Sequence, residues 1–173
     1  MSPAFRHAAA VSALDLAGHE DVLEIGCGHG VAIRLALARL TSGTITALDR
    51  SDKMIALVES GSPEALASGR LITRAEALED AAWGDTRFDA IFAINLDLNL
   101  RLGTKWPGML KARLKPGGRL ILAFDPPDGA RGHAFVGKSL DRLTEAGFDA
   151  VLCPGHGKVT VIRAKLAPDA AVS

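Results

Sequence analysis

The chain has 173 residues, about the length of one domain. Hydrophobic residues make up 48% of it and charged residues 23%, so it can bury a sizeable core and is not a disordered polypeptide. Lys and Arg together number 20, as do Asp and Glu, and this balance excludes a chain built around a nucleic-acid or anionic-membrane surface.

Cysteine and histidine usage argues against a disulfide framework and a structural metal site. Cys27 and Cys153 are the two cysteines, and the five histidines are scattered without an HxH or HxxxH pair. No apolar stretch approaches the roughly 18 residues of a membrane-spanning helix. Residues 1–20 fit a short amphipathic helix better than a signal peptide, because Asp15 interrupts their apolar stretch. We therefore expect a cytoplasmic protein without metal, nucleic-acid or membrane partners.

Several short segments have the composition of buried β-strands. The segment 44–49 is rich in β-branched residues and ends in a carboxylate, and 88–96 is almost entirely apolar, which is typical of a strand buried on both faces. The last two segments flank the turn-rich residues 154–157 and suit an antiparallel hairpin. In chain order, the predicted strands cover residues 21–26, 44–49, 70–73, 88–96, 119–125, 149–152 and 159–162.

Helical patterns separate most of these strands. Apolar residues recur at helical spacing after the first strand, and Ser51 is expected to cap the helix after the second. Thr104 is expected to cap a later helix that has Pro107 in its first turn and ends before a loop at 115–118. The last helix is expected to stop at Gly147.

The alternation of strands and helices predicts an α/β fold. We expect one doubly wound, mostly parallel, seven-stranded sheet with an antiparallel last strand and helices on both faces. Without a repeat or a linker, residues 1–173 read as one domain: an N-terminal helix in 1–20, a core over 21–166 and a tail over 167–173. Such sheets bind ligands at the carboxyl ends of their strands. The functional residues should therefore follow Ile25, Leu48, Thr73, Ile94 and Phe124.

A glycine-rich segment joins the first predicted strand to its helix. Gly26, Gly28 and Gly30 alternate along it, so the backbone can turn sharply and approach a ligand. The spacing differs from the GxGxxG dinucleotide fingerprint, and a tight strand–helix turn is the alternative interpretation. Asp49 ends the second strand, where a carboxylate can accept both hydroxyls of a ribose, although an exposed turn aspartate is also possible. Together the two features indicate a nucleoside-containing ligand.

Several segments, in this order, resemble motifs of class I (Rossmann-like) S-adenosylmethionine-dependent methyltransferases. Residues 24–30 resemble the first motif, Asp49 the acidic residue after the second strand, and 75–77 an adenine-contacting segment. Residues 88–91 resemble the start of the fourth strand and 114–120 the loop before the fifth. The resemblance covers roughly residues 20–166 and implies a methyltransferase that uses S-adenosylmethionine and releases S-adenosylhomocysteine.

The resemblance also implies which residues hold this cofactor. The glycine loop would lie against its methionine part, and Glu24 would hold the loop or reach the amino group. Asp49 would bind the ribose, and Asn95 would face the sulfonium region. The full set of implied cofactor-binding residues is Glu24, Gly26, Cys27, Gly28, Gly30, Asp49, Arg50, Met54, Ala75, Glu76 and Asn95.

No catalytic base stands out in the sequence. Methyl transfer from a sulfonium is an in-line displacement that positioning alone can accelerate, and a base is needed only if the acceptor must lose a proton. His29 and Asn95 are the catalytic candidates. The alternative for His29 is a loop side chain that points to solvent, and the alternative for Asn95 is a polar residue at the start of a loop. If the fourth strand continues, Asn95, Asp97 and Asn99 share one face and line an acceptor site.

The acceptor is expected to be a small molecule. Only 20 residues precede Asp21, and no large insertion could form a lid. Residues 95–98 lack the Pro-Pro-aromatic sequence that follows the Asn or Asp in amino-methyltransferases of nucleic acids. Two alternatives remain, namely an NAD-type oxidoreductase on a related sheet and a non-catalytic cofactor-binding partner subunit. We expect a monomer or a homodimer.

Overall fold

The computed structural model describes residues 4–125, 129–153 and 159–166. The predicted hairpin turn at 154–157 and the predicted tail at 167–173 lie outside these residues. The strands are β1 (Asp21–Ile25), β2 (Thr44–Asp49), β3 (Leu71–Ala75), β4 (Phe88–Ile94), β5 (Leu114–Phe124), β6 (Phe148–Cys153) and β7 (Thr160–Leu166). The helices are α1 (Ala4–Ala13), α2 (Val31–Leu37), α3 (Asp52–Ser60), α4 (Pro63–Ala67), α5 (Leu98–Leu102), α6 (Trp106–Lys111) and α7 (Gly129–Glu145).

The seven strands form one sheet in the order β3-β2-β1-β4-β5-β7-β6. Neighbouring strands from β3 to β5 are parallel, whereas β7 runs antiparallel to both β5 and β6. This topology confirms the predicted fold class, including the reversed last strand. The chain progresses outwards from β1 on one side and returns at β4 to build the other side, so the strand order reverses between β1 and β4. Ligands of open α/β sheets bind at this point.

Burial on both faces of the sheet explains the apolar runs seen in the sequence. Along β1, Val22 belongs to one core cluster and Leu23 to the other. Along β5, Ile121 and Leu122 divide in the same way, because successive side chains of a strand point to opposite faces. Helices α1, α2 and α3 contribute to the first cluster, and α6 and α7 to the second.

Two predicted helix boundaries are confirmed and one is wrong. The Ser51 hydroxyl accepts a hydrogen bond from the Met54 N–H at 3.4 Å and so caps α3. Gly147 follows the end of α7 with a φ of 85°. Helix α6, however, begins at Trp106 with Lys105 in the cap position rather than Thr104. Pro107 still lies in the first turn, where its missing N–H is tolerated.

The predicted loop at 115–118 is the irregular start of a strand. β5 begins at Leu114, which pairs with Phe88, and the register then shifts so that Ala90 pairs with Arg119. Gly117 has a φ of 74° inside the shifted segment, which is a backbone conformation that glycine adopts without strain. The Pro-Gly-Gly sequence predicts a loop before the fifth strand, but the segment continues the ladder through an irregularity.

The fourth strand ends earlier than its apolar run predicts. β4 stops at Ile94, and Asn95 has a φ of 52°, which is the left-handed conformation and breaks the strand. Asp97 then caps the short helix α5 by accepting the Leu100 N–H at 2.8 Å. The expectation that Asn95, Asp97 and Asn99 share one face is therefore wrong. The short helices α4 and α5 were not predicted.

Asn99 is a buried structural residue. It is 8% exposed, and its Nδ2 donates to the Ser139 hydroxyl at 2.7 Å. Its Oδ1 accepts from the Trp106 indole at 3.1 Å and from the Arg142 guanidinium at 2.8 Å. These bonds join α5, α6 and α7, and so fix the position of the segment that follows β4. Within the described ranges, no helix is long and apolar enough to span a membrane, and no cluster of metal-ligating side chains occurs.

Candidate functional site

A cavity of about 230 Å³ opens at the carboxyl ends of β1, β2 and β4, where the strand order reverses. Five of the residues predicted to hold a cofactor line it, and they come from four separate segments of the chain. These residues are Gly26, Asp49, Arg50, Glu76 and Asn95. The topology thus brings together side chains that are far apart in the sequence.

The glycine loop after β1 is fixed against the end of β2. The N–H groups of Gly26 and Cys27 both donate to the Leu48 carbonyl, at 2.7 and 3.1 Å. Gly26, Gly28 and Gly30 all have positive φ values, of 73°, 50° and 70°. A Cβ on Gly30 would lie 2.9 Å from Val58, whereas a Cβ on Gly28 would meet nothing within 4 Å. Gly30 therefore serves packing against α3, and the space beside Gly28 is open to a ligand.

The Asp49 carboxylate is held by two backbone donors. Its Oδ2 accepts the N–H of Gly28 at 3.0 Å, and its Oδ1 accepts the N–H of Ser51 at 3.0 Å. A carboxylate has about four lone-pair sites, so each oxygen retains the capacity to accept a hydroxyl hydrogen. The side chain is thus oriented by the protein before any ligand binds, and it lines the cavity.

Glu24 is buried beneath the same loop. It is 2% exposed, and burial together with the negative charge of Asp49 raises the pKa of its carboxyl well above the usual range. Its Oε2 has no hydrogen-bond partner among the described residues. Buried polar atoms almost always have partners, so this atom is suited to a polar group supplied by a ligand.

Cys27 does not have the properties of a nucleophile. Its side chain is buried, and burial, followed by the charges of Glu24 and Asp49, raises the pKa of its thiol to about 12. The reactive thiolate is therefore scarce at neutral pH. Cys27 contributes a small packed side chain to the glycine loop.

Asn95 is oriented by the neighbouring strand. Its Oδ1 accepts the N–H of Asp125 at 2.7 Å, and its own N–H donates to the Ala123 carbonyl at 2.9 Å. Because only the oxygen of the amide can accept an N–H, the NH₂ group points the other way and can donate. Asn95 can therefore orient a ligand, but it is not suited to accept a proton from an acceptor.

Of the remaining predicted residues, some line the cavity and others do not. Glu76 lines the cavity and forms an ion pair with Arg74, and the exposed Arg50 lines it as well. Three other predicted residues do not line it. They are the half-buried Met54, the exposed Ala75 and the exposed His29.

The sequence interpretation missed several lining residues. Leu96 packs beside Gly26, since a Cβ placed on Gly26 would lie 3.5 Å from its side chain. Leu78 comes from the irregular segment after β3, directly after the predicted segment 75–77, and Arg101 comes from α5. The apolar Leu78 directly before the acidic Glu79 and Asp80 was the available signal, whereas the position of Arg101 depends on a helix that the pattern did not indicate.

Known proteins that are similar to this chain in sequence are methyltransferases, as the resemblance implies. The family described as "Methyltransferase domain" matches residues 22–118. A protein-L-isoaspartate O-methyltransferase of Methylorubrum extorquens (strain PA1) is 32% identical over 153 residues, which cover 88% of this chain and 59% of that protein. The chain thus spans about three-fifths of the length of this curated relative.

Solved structures share the fold at low sequence identity. A SAM-dependent methyltransferase from Aquifex aeolicus has a TM-score of 0.76 at 16% identity, covering 96% of this chain and 94% of its own. Precorrin-6y C5,15-methyltransferase from Geobacter metallireducens GS-15 has a TM-score of 0.73 at 18% identity, covering 93% and 87%. The [4+2]-cyclase SpnF has a TM-score of 0.74 at 18% identity, covering 92% and 80%.

The sheet topology is that of the class I S-adenosylmethionine-dependent methyltransferase fold, and the glycine loop and the acid at the end of β2 lie at the strand ends that the sequence resemblance implies. Because the family match covers more than half of the residues, the chain belongs to the methyltransferase domain family. The resemblance seen in the sequence and the cofactor that it implies, S-adenosylmethionine, are thereby confirmed.

Proposed function

We propose that this protein transfers the methyl group of S-adenosylmethionine to a small-molecule acceptor. The proposal rests mainly on the Asp49 carboxylate, which two backbone N–H groups hold at the rim of the cavity. A fixed carboxylate at the end of the second strand suits a ribose. The structure also fits the rest of the cofactor, because Glu24 has an unpartnered buried oxygen and the space beside Gly28 is open.

Each of these groups is proposed to have a distinct task. S-adenosylmethionine, when bound, supplies an electrophilic methyl group on a sulfonium. Asp49 binds the ribose hydroxyls, and Glu24 accepts a hydrogen bond from the amino group of the methionine part. The glycine loop allows close approach, and the Asn95 amide donates to an oxygen of a ligand. Arg50, Glu76, Met54 and Ala75 are proposed to surround the adenine.

The proposed mechanism relies on positioning rather than on a protein base. Among the described residues, no histidine lines the cavity, and the Cys27 thiol has a pKa of about 12. An in-line displacement needs no base if the acceptor already carries a free electron pair, as a carboxylate does at neutral pH. His29 remains a prediction as a base, since its side chain is exposed on the glycine loop.

Two kinds of methyl acceptor, which differ in size, are candidates. The segment between β4 and β5 holds only the short helices α5 and α6, which favours a small molecule over an extended substrate. A second candidate is an isoaspartyl carboxylate in a protein, and the 32% identity to an enzyme of that name favours it. SpnF, which is similar in fold, is named a cyclase, so the test must also allow for a role without methyl transfer.

Two measurements test the proposal. Isothermal calorimetry should give saturable binding of S-adenosylhomocysteine and none of NAD, and binding of NAD alone would reassign the protein to the oxidoreductases. Transfer of a labelled methyl group should then be compared between a panel of small carboxylates, phenols and amines and an isoaspartyl peptide. Labelling of the peptide alone would replace the small-molecule acceptor with a protein. Cofactor binding without labelling of any acceptor would favour the partner-subunit alternative.

A further inference from the structure

Arg101 lines the cavity at the strand ends, but none of the cofactor contacts proposed above involves it. The residue lies on the short helix α5, which the Asp97 cap and the hydrogen bonds of Asn99 hold in place. These contacts fix the backbone of α5, whereas the direction of the long Arg101 side chain depends on a partner of its own. Among the described residues, Arg101 Nη2 donates to Glu79 Oε1 at 3.5 Å.

The ion pair of Glu79 and Arg101 joins two segments that both border the cavity. Glu79 directly follows residues 76–78, which line the cavity after β3, and Arg101 lies in the segment after β4. In the sheet, β3 and β4 are separated by β2 and β1, so these two segments do not start at neighbouring strands. The ion pair therefore connects parts of the cavity wall that the sheet itself does not hold together.

This ion pair is exposed enough to open and close. The side chains of Arg101 and Glu79 are 27% and 36% exposed, whereas those of Arg119 and Glu20, which also pair, are 17% and 6% exposed. Ion pairs at exposed positions contribute little free energy and are screened by salt. The pair at the cavity can therefore break while the neighbouring elements stay folded.

Glu79 does not itself line the cavity. A ligand in the cavity can contact Arg101, but it is influenced by Glu79 through the position of the Arg101 guanidinium. The carboxylate keeps this guanidinium at the rim of the cavity instead of extended into solvent. Substitutions at the two positions can therefore separate direct contact with a ligand from positioning.

We infer that Glu79 is a positioning residue for cofactor binding, which holds the Arg101 guanidinium at the rim of the cavity and so retains the bound cofactor. The inference rests on the proposed function, in which this cavity holds the adenosyl part of the cofactor. The cofactor leaves when the pair opens, and Arg101 blocks its exit when the pair is closed. Because the pair acts on the bound complex, its loss speeds release and leaves the association rate nearly unchanged.

Surface plasmon resonance with S-adenosylhomocysteine and the immobilised full chain measures both rates. Glu79→Gln should release the ligand about 1.5- to 5-fold faster than the wild type, the range for an exposed ion pair. Arg101→Gln should have at least the same effect, because it also removes a lining side chain. Asp80→Asn is the matched control, since Asp80 is an exposed neighbouring acid that does not line the cavity, and it should match the wild type.

Two further comparisons distinguish positioning of Arg101 from a general loosening of the segment after β3. In a chain that already carries Arg101→Gln, adding Glu79→Gln should not speed release further. Raising NaCl from about 50 to about 500 mM should speed release from the wild type more than from Glu79→Gln. Thermal melting confirms that each variant is folded.

The inference is overturned if Glu79→Gln releases the ligand at the wild-type rate, or if its effect persists unchanged in the chain with Arg101→Gln. Normal binding with unchanged release rates refutes this inference alone and leaves the proposed methyl transfer untouched. Absence of S-adenosylhomocysteine binding by the wild type would refute both.

Discussion

The carboxylate of Asp49 and the backbone N–H of Gly28 meet at 3.0 Å, across the gap between β2 and the loop that follows β1. The residue proposed to bind the ribose therefore also holds the glycine loop in place. The loop and the acid form one unit, since the N–H groups of Gly26 and Cys27 are bonded to Leu48, directly before Asp49. Substitutions in either part should affect cofactor binding.

Asp49→Ala should weaken binding of S-adenosylhomocysteine by about 1.5–3 kcal/mol, the range for a lost hydrogen bond to a charged group. The variant removes the acceptor for the ribose and also releases the N–H groups of Gly28 and Ser51. Calorimetry measures the change. Asp52→Ala is the matched control, because Asp52 is exposed on the first turn of α3 and does not line the cavity. An unchanged dissociation constant in Asp49→Ala would refute the ribose role.

Gly28→Val should abolish detectable cofactor binding while the protein remains folded. The side chain would enter space that is open in the ligand-free protein, and the φ of 50° adds strain of about 1–2 kcal/mol. Gly69→Val is the matched control, because Gly69 has a φ of 75° and equally open surroundings in the turn after α4. Both variants should melt at similarly lowered temperatures. If Gly28→Val binds S-adenosylhomocysteine as Gly69→Val does, the cofactor does not lie against this loop.

The sequence was sufficient for the positions of the strands along the chain, because the central strands are buried on both faces. Burial on both sides selects continuous apolar runs, as in β4, and these are visible without tertiary information. The glycine loop and Asp49 were also visible, because turn geometry and ribose binding each require particular residue types at a strand end.

The apolar run that made β4 predictable also concealed where β4 ends. The apolar run continues through Leu96, and nothing local indicates that Asn95 adopts a φ of 52° and ends the strand. The role of Asn99 depends on Ser139 and Arg142 in α7, which are distant in the chain. Arg101, which lines the cavity, lies on the same short helix α5 as Asn99. Long-range hydrogen bonds, rather than local propensity, decide this part of the site.

Glu24→Gln should stabilise the ligand-free protein at neutral pH and weaken cofactor binding. Burial and the charge of Asp49 raise the pKa of the Glu24 carboxyl in the folded protein. In the unfolded chain this carboxyl ionises above about pH 4.3, whereas in the folded protein it stays protonated to higher pH. Folding therefore loses free energy as the pH rises from about 4.3 towards the raised pKa. The neutral glutamine removes that loss.

Melting temperatures of the wild type and Glu24→Gln, compared from about pH 4 to 8, check this expectation. The difference should favour the variant increasingly as the pH rises. Glu64→Gln, at an exposed position in α4, should give a small difference that does not change with pH. A constant difference for Glu24→Gln would mean that Glu24 ionises normally in the folded protein.

Glu20→Gln should destabilise the protein, with a pH dependence of the opposite sign. Burial acts to raise the pKa of Glu20, but hydrogen bonds from the N–H groups of Ala17 and Gly18 and from Arg119 prevail and lower it from 4.5 to about 2. A depressed carboxyl pKa stabilises the folded state above the unfolded value and ceases to do so as the pH falls towards 2. A shift of this size corresponds to about 3 kcal/mol.

The hydrogen bonds of Glu20 explain why the effect should be large. Its two carboxylate oxygens accept the Ala17 and Gly18 N–H groups at 2.8 Å each, and Arg119 of β5 donates at 3.1 Å. Urea unfolding of the wild type and Glu20→Gln should differ by about 3 kcal/mol at neutral pH and converge near pH 2. Glu145→Gln, at an exposed position in α7, should match the wild type throughout. Equal destabilisation of Glu20→Gln at both ends of the range would indicate lost packing rather than a lost charge.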